Sequence, residues 1–436
     1  MKQLRLSASI LSKFYSYTEE MQPLSSSDSR PALGCGPIIP RFEGQRPLRQ
    51  QVFERIRAAG RIPRAELARE LGISPASVSA LTADLIGTGM IEETTREADG
   101  ARGRPRVALA VRPDAHLVVG IKLSVHKHTA VLVDFAGRLI ATQTLPRTPS
   151  AMTPDALLDA TALLLERVCT NAGVRPADLS AVGLGVPGFV DAQTGTVFWS
   201  PVLDRRNIAL APEAERRLGV PVHIDNDANL VTMAELWFGA GRALSHFAVV
   251  TIEHGVGMGY VLNHRIHRGF RGVAMELGHT KVQLDGALCR CGQRGCLEAY
   301  VADYALAREA SAALDWTHHD MRSISVMLES LHDQAEAGNA AARSIFLRAG
   351  RYLALGLANV VNLFDPELII LSGERMRYEY LYANETLAEM PDFCVATGRP
   401  APKVQIQAWG DLLWAHGAAA LALSAISETL MGARSG

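Results

Sequence analysis

Glu276-Leu277-Gly278-His279, with Cys289-Arg290-Cys291-Gly292-Gln293-Arg294-Gly295-Cys296-Leu297-Glu298 after it, is the stretch from which the rest of this chain is read. Three cysteines and a histidine within about twenty residues have the spacing of a zinc site, in which three thiolates and one imidazole close a tetrahedron. Gly292 and Gly295 let the backbone fold back so that the sulfurs of Cys289, Cys291 and Cys296 converge. A metal held by these three and His279 would fix the two flanking carboxylates, Glu276 and Glu298, beside whatever cavity lies next to it.

At 436 residues the chain is too long for one compact core, and two or three domains are expected. Hydrophobic residues at 48% and charged residues at 20% supply ordinary core-forming material, and a net charge of −1 leaves only local asymmetry to name a partner. Of six cysteines, three sit in the cluster and Cys35, Cys169 and Cys394 are scattered, which is metal-site usage in a reducing compartment and implies no disulfide framework. No apolar run reaches the ~18 residues of a membrane span. Residues 1–22 mix Ser, Tyr, Lys and Glu through their apolar positions and make a poor signal peptide, so a cytoplasmic protein is expected.

Residues 1–45 hold a serine cluster and a run through Pro31, Gly34, Gly36, Pro37 and Pro40, and are expected to be a disordered tail. The character changes over 46–112. Val52, Ile56 and Ala59 keep helical spacing up to Gly60, and a second short helix runs from Pro63 to Leu71. Gly72-Ile73-Ser74-Pro75 then supplies a glycine turn, an apolar plug, a serine N-cap and a proline at the first helical position. The helix that follows to Gly87 points Val78, Leu81 and Leu85 inward. This is winged helix-turn-helix anatomy, with a recognition helix whose outward residues are Ala76, Ser77, Ser79, Ala80 and Thr82. Small hydroxyl side chains there suit close approach to base edges in a major groove. A β-hairpin wing follows, tipped by Ala101-Arg102-Gly103-Arg104-Pro105-Arg106, and arginines alternating with glycine and proline suit a narrow minor groove. Eleven arginines stand against eight acids between Arg46 and Arg106, so this segment alone is basic.

From His116 the chain reads as α/β. Strands are expected over Leu117–Leu123, Thr129–Asp134 and Arg138–Thr144, a helix over Pro154–Ala172, and a buried strand at 181–188 ending in a glycine turn. Another strand at Val222–Asp225 closes on Asn226-Asp227-Ala228-Asn229 and a helix. A second copy of the strand-rich opening starts at Phe247, with His254-Gly255-Val256-Gly257-Met258-Gly259 as a loop between its strands. Helices follow over Leu297–Leu314 and Ala340–Phe364, then strands at Leu368–Ser372 and Val404–Gln407 and a last helix over Leu412–Met431. Two lobes of the β-β-β-α-β-α kind, facing across a cleft, account for this order.

Gly185-x-Pro187-Gly188, Asn226-Asp-Ala-Asn229, Glu276-Leu-Gly-His279 and the cysteine cluster, in this order, resemble the ROK family of sugar kinases and sugar-responsive repressors. The resemblance covers 113–436 and is nearest to the N-acetylglucosamine- and glucose-responsive repressors, which share a Glu253-His-Gly-Val-Gly type of loop. It implies an actin-like (ribonuclease H-like) two-lobed fold with sugar in the cleft and zinc in the 276–298 loop. Carried onto matching positions, it makes Gly188, Asn226, Asp227, Glu276, His279 and Glu298 the sugar-binding residues. Hexose hydroxyls both donate and accept, and carboxylates with an asparagine answer them. Asn226 and Asp227 also suit the N-terminus of a helix, and the two roles are compatible.

In the family's kinases the residue matching Asp227 takes the proton from the sugar hydroxyl. Those enzymes also carry Asp-x-Gly-Gly-Thr on the first strand for ATP phosphates. Here that place reads Gly120-Ile121-Lys122-Leu123-Ser124, with no acid for magnesium and no glycine pair. Gly255-x-Gly-x-Gly259 survives as a second loop, whereas Ser372-Gly373-Glu374 would set a carboxylate near a triphosphate. No ATP turnover is therefore expected. The chain reads as a repressor of carbohydrate genes, in which a sugar or sugar phosphate controls binding to an inverted-repeat operator by a homodimer or homotetramer. Lys122, His126 or Lys127 could compensate a 6-phosphate if the first strand faces the cleft. An active kinase with a DNA-binding head, a regulator relieved by a phosphotransferase-system protein, and a zinc-organised scaffold remain alternatives.

Overall fold

The computed structural model of the chain describes residues 34–39, 46–95, 107–314, 323–373, 388–396, 398, 400–407, 410 and 412–432. The head comprises α1 (Leu48–Ala59), β1 (Ile62–Pro63), α2 (Arg64–Leu71), α3 (Pro75–Gly87), β2 (Ile91–Thr95) and β3 (Val107–Val111). Val52, Phe53, Ile56, Leu67, Val78 and Leu85 are fully buried and hold the three helices on an antiparallel sheet of order β1-β3-β2. Gly72 ends α2 in the left-handed region, and Ser74 caps α3 by accepting from the Ser77 N–H at 3.0 Å. The wing's tip, with Arg102, Arg104 and Arg106, lies outside the described residues.

The outward face of α3 is corrected at one position. Ala76, Ser79 and Ala80 are exposed and Ser77 is half-buried, but Thr82 is fully buried. Its hydroxyl accepts from Arg64 Nε at 3.1 Å. Thr82 stands four residues after Val78 and three before Leu85, so the helical repeat carries it onto their inner face.

The first lobe contains β4 (Leu117–Lys122), β5 (Lys127–Asp134), β6 (Leu139–Pro146), α4 (Pro154–Ala172), β7 (Ala181–Val186), β8 (Phe189–Asp191), β9 (Thr196–Trp199), α5 (Leu210–Leu218), β10 (Val222–Asn226) and α6 (Asp227–Phe238). The second contains β11 (His246–Ile252), β12 (Val256–Leu262), β13 (Arg265–Ile266), α7 (Glu298–Val301), α8 (Asp303–Ala313), α9 (Ile324–Glu336), α10 (Ala340–Phe364), β14 (Leu368–Ser372) and β15 (Lys403–Ile406). The last helix, α11 (Leu413–Gly432), returns to the first lobe. The sheets run β10-β7-β4-β5-β6 and β13-β12-β11-β14-β15. Each is antiparallel along its opening strands and parallel beyond, so one topology occurs twice, which is the actin-like arrangement. The α5 helix, the β8–β9 hairpin and α9 are additions to the expected order, and the helix expected over Leu297–Leu314 breaks at Ala302, where the Asp303 N–H turns to the Glu253 carbonyl at 3.0 Å.

Strand alternation divides the side chains among the cores. Val118, Val131 and Val133 face the layer holding α6 and α11, whereas Val119, Ile121 and Leu132 face α4. In the second sheet Phe247 and Val249 face that same inner layer, and Ala248 and Val250 face α10. Glycines let the inner layer close. A methyl added at Gly120 or Gly183 would lie 2.0 or 1.9 Å from an α11 carbonyl, and one at Gly417 would lie 1.9 Å from the Leu230 carbonyl of α6.

The head joins this inner layer without a free linker. Residues 34–39, expected in a disordered tail, are ordered because their backbone finds partners: the Gly36 N–H donates to Trp237 O at 2.9 Å and the Ile38 N–H to Arg242 O at 2.6 Å. Arg242 donates in return to Gly36 O at 3.0 Å and to Ala58 O of α1 at 2.7 Å. Arg57 of α1 is buried between Trp237 and Phe53, 4.3 and 5.2 Å from their ring centroids, and donates to Ser427 Oγ of α11 at 2.6 Å. Arg49 reaches Leu430 O at 3.1 Å. Replacing Trp237 by alanine empties a buried site and removes a desolvated cation–π contact, and should cost about 3–5 kcal/mol. Chemical unfolding read by midpoint checks it; Trp237→Phe, which keeps a π face, should cost distinctly less.

Candidate functional site

The 276–298 loop brings together the four ligands that its spacing predicts. Ligand atoms of His279, Cys289, Cys291 and Cys296 all lie within 4.8 Å of one another. Cys289 Sγ is 3.8 Å from His279 Nδ1, and Cys291 Sγ is 3.7 Å from Cys296 Sγ. Bonds of ~2.0–2.3 Å to a tetrahedral centre require edges of roughly 3.5–3.8 Å, so these two spacings fit a metal ion and the others, none above 4.8 Å, need at most a modest contraction. Because Nδ1 faces the sulfurs, Nε2 is the ring nitrogen left for another partner. Short backbone bonds shape the knot: the Cys289 N–H donates to Gln293 O at 2.8 Å and the Gly295 N–H to Ala287 O at 2.9 Å.

Glu298 opens α7 directly behind the last cysteine and is buried. Its Oε2 accepts from the Val256 N–H at 3.3 Å, while Oε1 accepts from Tyr304 OH at 3.4 Å and lies 3.6 Å from Cys289 Sγ. The carboxylate thus ties the knot to the glycine loop between β11 and β12. Glu276 is half-buried on the other side of the knot. Burial first, and then the charges of Asp227 and Glu298, push its carboxyl up to about 7. Three carboxylates from two lobes therefore share one field.

The first lobe brings the remaining residues at the ends of β7 and β10. Asn226 caps α6, its Oδ1 accepting from the Asn229 N–H at 2.8 Å, and Asp227 is the first helical residue, half-buried. Burial raises the Asp227 carboxyl, and Lys122 opposes that shift. Gly188 has φ +111, and a methyl there would lie 2.2 Å from Trp199 O, so only glycine lets the β8–β9 hairpin fold against the strand end. That hairpin sets Phe189 with its ring centroid 6.5 Å from His279.

Several residues escape a reading by motif. Asp225, just before the Asn226-Asp227 pair, is buried and paired with Arg268 at 2.7 Å, and it accepts from Asn229 Nδ2 at 2.8 Å. This ion pair pins β10 to the segment after β13, on the opposite lobe. Lys122 at the end of β4 lies under Trp414 of α11, with 3.4 Å from Nζ to the ring centroid. Phe189 and Trp199, 5.9 Å apart, wall the first lobe's side. The signals were present as an acid beside a motif and a lysine inside a strand, but neither pattern specifies which partner the fold delivers.

Gly120, within β4, is covered by the α11 backbone. Gly257 and Gly259 pack on α6, where added methyls would lie 3.0 Å from Ala228 Cβ and 2.1 Å from Thr232 Oγ1. Packing alone accounts for those two glycines. Glu374 lies outside the described residues.

The carboxyl of Glu276 carries a pH signature. Its folded-state value of about 7 lies above the ordinary 4.5, so the folded protein holds the proton more tightly. Stability from this group is full below pH 4.5 and falls away as pH rises toward 7. Glu276→Gln should flatten that part of the profile of unfolding midpoint against pH; parallel profiles for the two proteins would count against the assignment.

Comparison with known proteins agrees with this geometry. The profile described as ROK family matches residues 118–425, and a winged helix-turn-helix DNA-binding profile matches 46–92. A putative xylose repressor of Caldicellulosiruptor sp. (strain Rt8B.4) is 30% identical over 324 residues, 72% of this chain and 79% of the relative. A glucokinase of Streptomyces coelicolor is 33% identical over 267 residues, 59% of this chain and 81% of that enzyme. A crystal structure of a ROK family transcriptional regulator, described as a homolog of the E. coli MLC protein, superposes with a TM-score of 0.75 at 25% identity, covering 88% of this chain and 97% of that one. With a family profile spanning most of its length and the doubled sheet topology beneath it, this chain belongs to the ROK family.

Proposed function

We propose that the protein is a sugar-responsive transcriptional regulator, a repressor of carbohydrate genes, whose head binds operator DNA according to the occupancy of the interlobe cleft. One observation carries the reading: α6 (Asp227–Phe238) starts in the cleft, capped by Asn226, and its last turn sets Trp237 against Arg57 of the head. Helix α11 runs beside it, with Trp414 near the cleft and Ser427 and Leu430 on the head. A ligand that moves one lobe relative to the other shifts both helices, and with them the head. The effector must bind the low-affinity state more tightly, by ~1–3 kcal/mol for ordinary coupling.

Gly188, Asn226, Asp227, Glu276, His279 and Glu298 form the sugar site in this reading. His279 Nδ1 and the sulfurs of Cys289, Cys291 and Cys296 hold zinc, which supplies charge and a fixed loop when bound. Nε2 of His279 then faces the ligand. On the head, Ala76, Ser77, Ser79 and Ala80 meet base edges and Arg102, Arg104 and Arg106 the minor groove, with Thr82 withdrawn into the core. Two heads in a homodimer or homotetramer read an inverted repeat, because half-site spacing mirrors the protein's symmetry.

Operator titrations at fixed salt, with and without a panel of sugars and sugar 6-phosphates, test the proposal. At least one compound should weaken DNA binding roughly 5- to 150-fold, the span of ordinary coupling energies. If none does, release by a phosphotransferase-system protein becomes the reading to pursue. Ala80→Glu should weaken operator binding by at least tenfold through phosphate repulsion, with the sugar response intact. Metal analysis should find about one zinc per chain, reduced by Cys296→Ala.

The 33% identity to a glucokinase supports a second reading, a kinase with a DNA-binding head. ADP release with the same panel decides it. We expect none, since 120–124 lacks the phosphate-loop residues.

A further inference from the structure

We propose that Lys122 is a ligand-binding residue: its ammonium and the Asp227 carboxylate hold one sugar hydroxyl between them, and the pocket takes a sugar that is unphosphorylated at that hydroxyl. The inference deepens the sugar-cleft reading and rests on it.

Lys122 is 9% exposed at the end of β4. Pairing sets it level with Gly185 of β7, and Gly185 level with Asp225 of β10, in the row from which the chain enters Asn226 and Asp227. An ammonium carries three donors. The Trp414 face at 3.4 Å attracts the charge, but among the described residues Lys122 meets no hydrogen-bond acceptor and forms no ion pair. The side chain is nine-tenths buried while its ammonium keeps donors to offer, so a ligand oxygen that reaches it can take their hydrogen bonds.

Asp227 supplies the complementary need. Its Oδ1 accepts from the Ala228 N–H at 3.0 Å, leaving the other carboxylate oxygen without a described donor. Lys122 acts on Asp227 through space, yet the two make no direct ion pair among the described residues. A group between them must accept from nitrogen and donate to oxygen. A hydroxyl does both.

Charge decides against an ester at that hydroxyl. A phosphate monoester would set nearly two negative charges beside Asp227 and within the field that Asp227, Glu276 and Glu298 already share, where Lys122 faces them and the Arg268 guanidinium is already paired with Asp225 at 2.7 Å. His254, at the cleft mouth, is engaged by Asp303 at 3.1 Å. Sequence alone offers Lys122, His126 and Lys127 as compensation for a 6-phosphate; the geometry assigns Lys122 to a neutral hydroxyl.

Isothermal titration of the full, metal-replete chain with free hexoses and pentoses, their monodeoxy analogues and their phosphate esters tests the inference. For a sugar that binds, one deoxy analogue and the ester at the same position should each bind at least tenfold more weakly. Lys122→Met should lose a similar factor for the parent sugar and show little further loss with that deoxy analogue, while Lys122→Arg recovers part of it. An unchanged metal content and melting point without ligand show that the variants fold. Undiminished sugar affinity in Lys122→Met, or an ester that binds more tightly than its sugar, overturns the inference while leaving the cleft reading standing. Should the wild-type chain bind no sugar in the panel, both fall; the deoxy series, which needs no variant, keeps the two failures separable.

Discussion

The contact between α6 and α11 at Gly417, where even a methyl would lie 1.9 Å from the Leu230 carbonyl, constrains the rest of the molecule. Two helices packed backbone to backbone have little room to shift against each other, since interiors are packed at crystal-like density. That pair lies against the inner faces of both sheets. Its cleft end holds Asn226, Asp227 and Trp414, and its far end holds Trp237, Ser427 and Leu430. The pair therefore reaches from the Asn226-Asp227 motif at one end to the helix-turn-helix head at the other.

At the far end the seam is electrostatic as well as apolar. Arg57 is buried against two aromatic faces with one side-chain hydrogen bond among the described residues, to Ser427. Desolvation depresses its basicity. A buried cation in aromatic surroundings keeps its stabilisation only while the rings stay over it, because the attraction depends on distance to the π face. A small displacement of Trp237 would be felt by α1, and α1 carries the other two head helices. Arg57 and Trp237 thus tie α1 to the C-terminal turn of α6.

At the cleft end, rigidity comes from covalently short loops and a donor set sized for a metal. Glu298 joins that knot to the glycine loop of the second lobe, and the Asp225–Arg268 pair joins the lobes across β10. The carboxylates thus sit on stiff supports. Kinase relatives and regulator relatives resemble this chain to similar degrees, so overall likeness does not separate them. At the end of β4, this chain carries Lys122 under the ring of Trp414.

The sequence by itself determined the doubled α/β lobes, the helix-turn-helix order and the four converging ligands, because periodicity, capping residues and ligand spacing are local properties. Asn226 as both motif residue and helix cap was equally legible. What only the tertiary structure decided were contacts between residues far apart in the chain. Thr82 looks like a surface hydroxyl until Arg64 is seen to occupy its inner face. Residues 34–39 read as tail by composition, yet Trp237 and Arg242, some two hundred residues on, supply the partners that their backbone requires. Lys122 reads as a strand lysine until Trp414 and Asp227 are brought around it. In each case the energy comes from satisfying or desolvating a polar group with a distant partner, and no local pattern encodes which partner that will be.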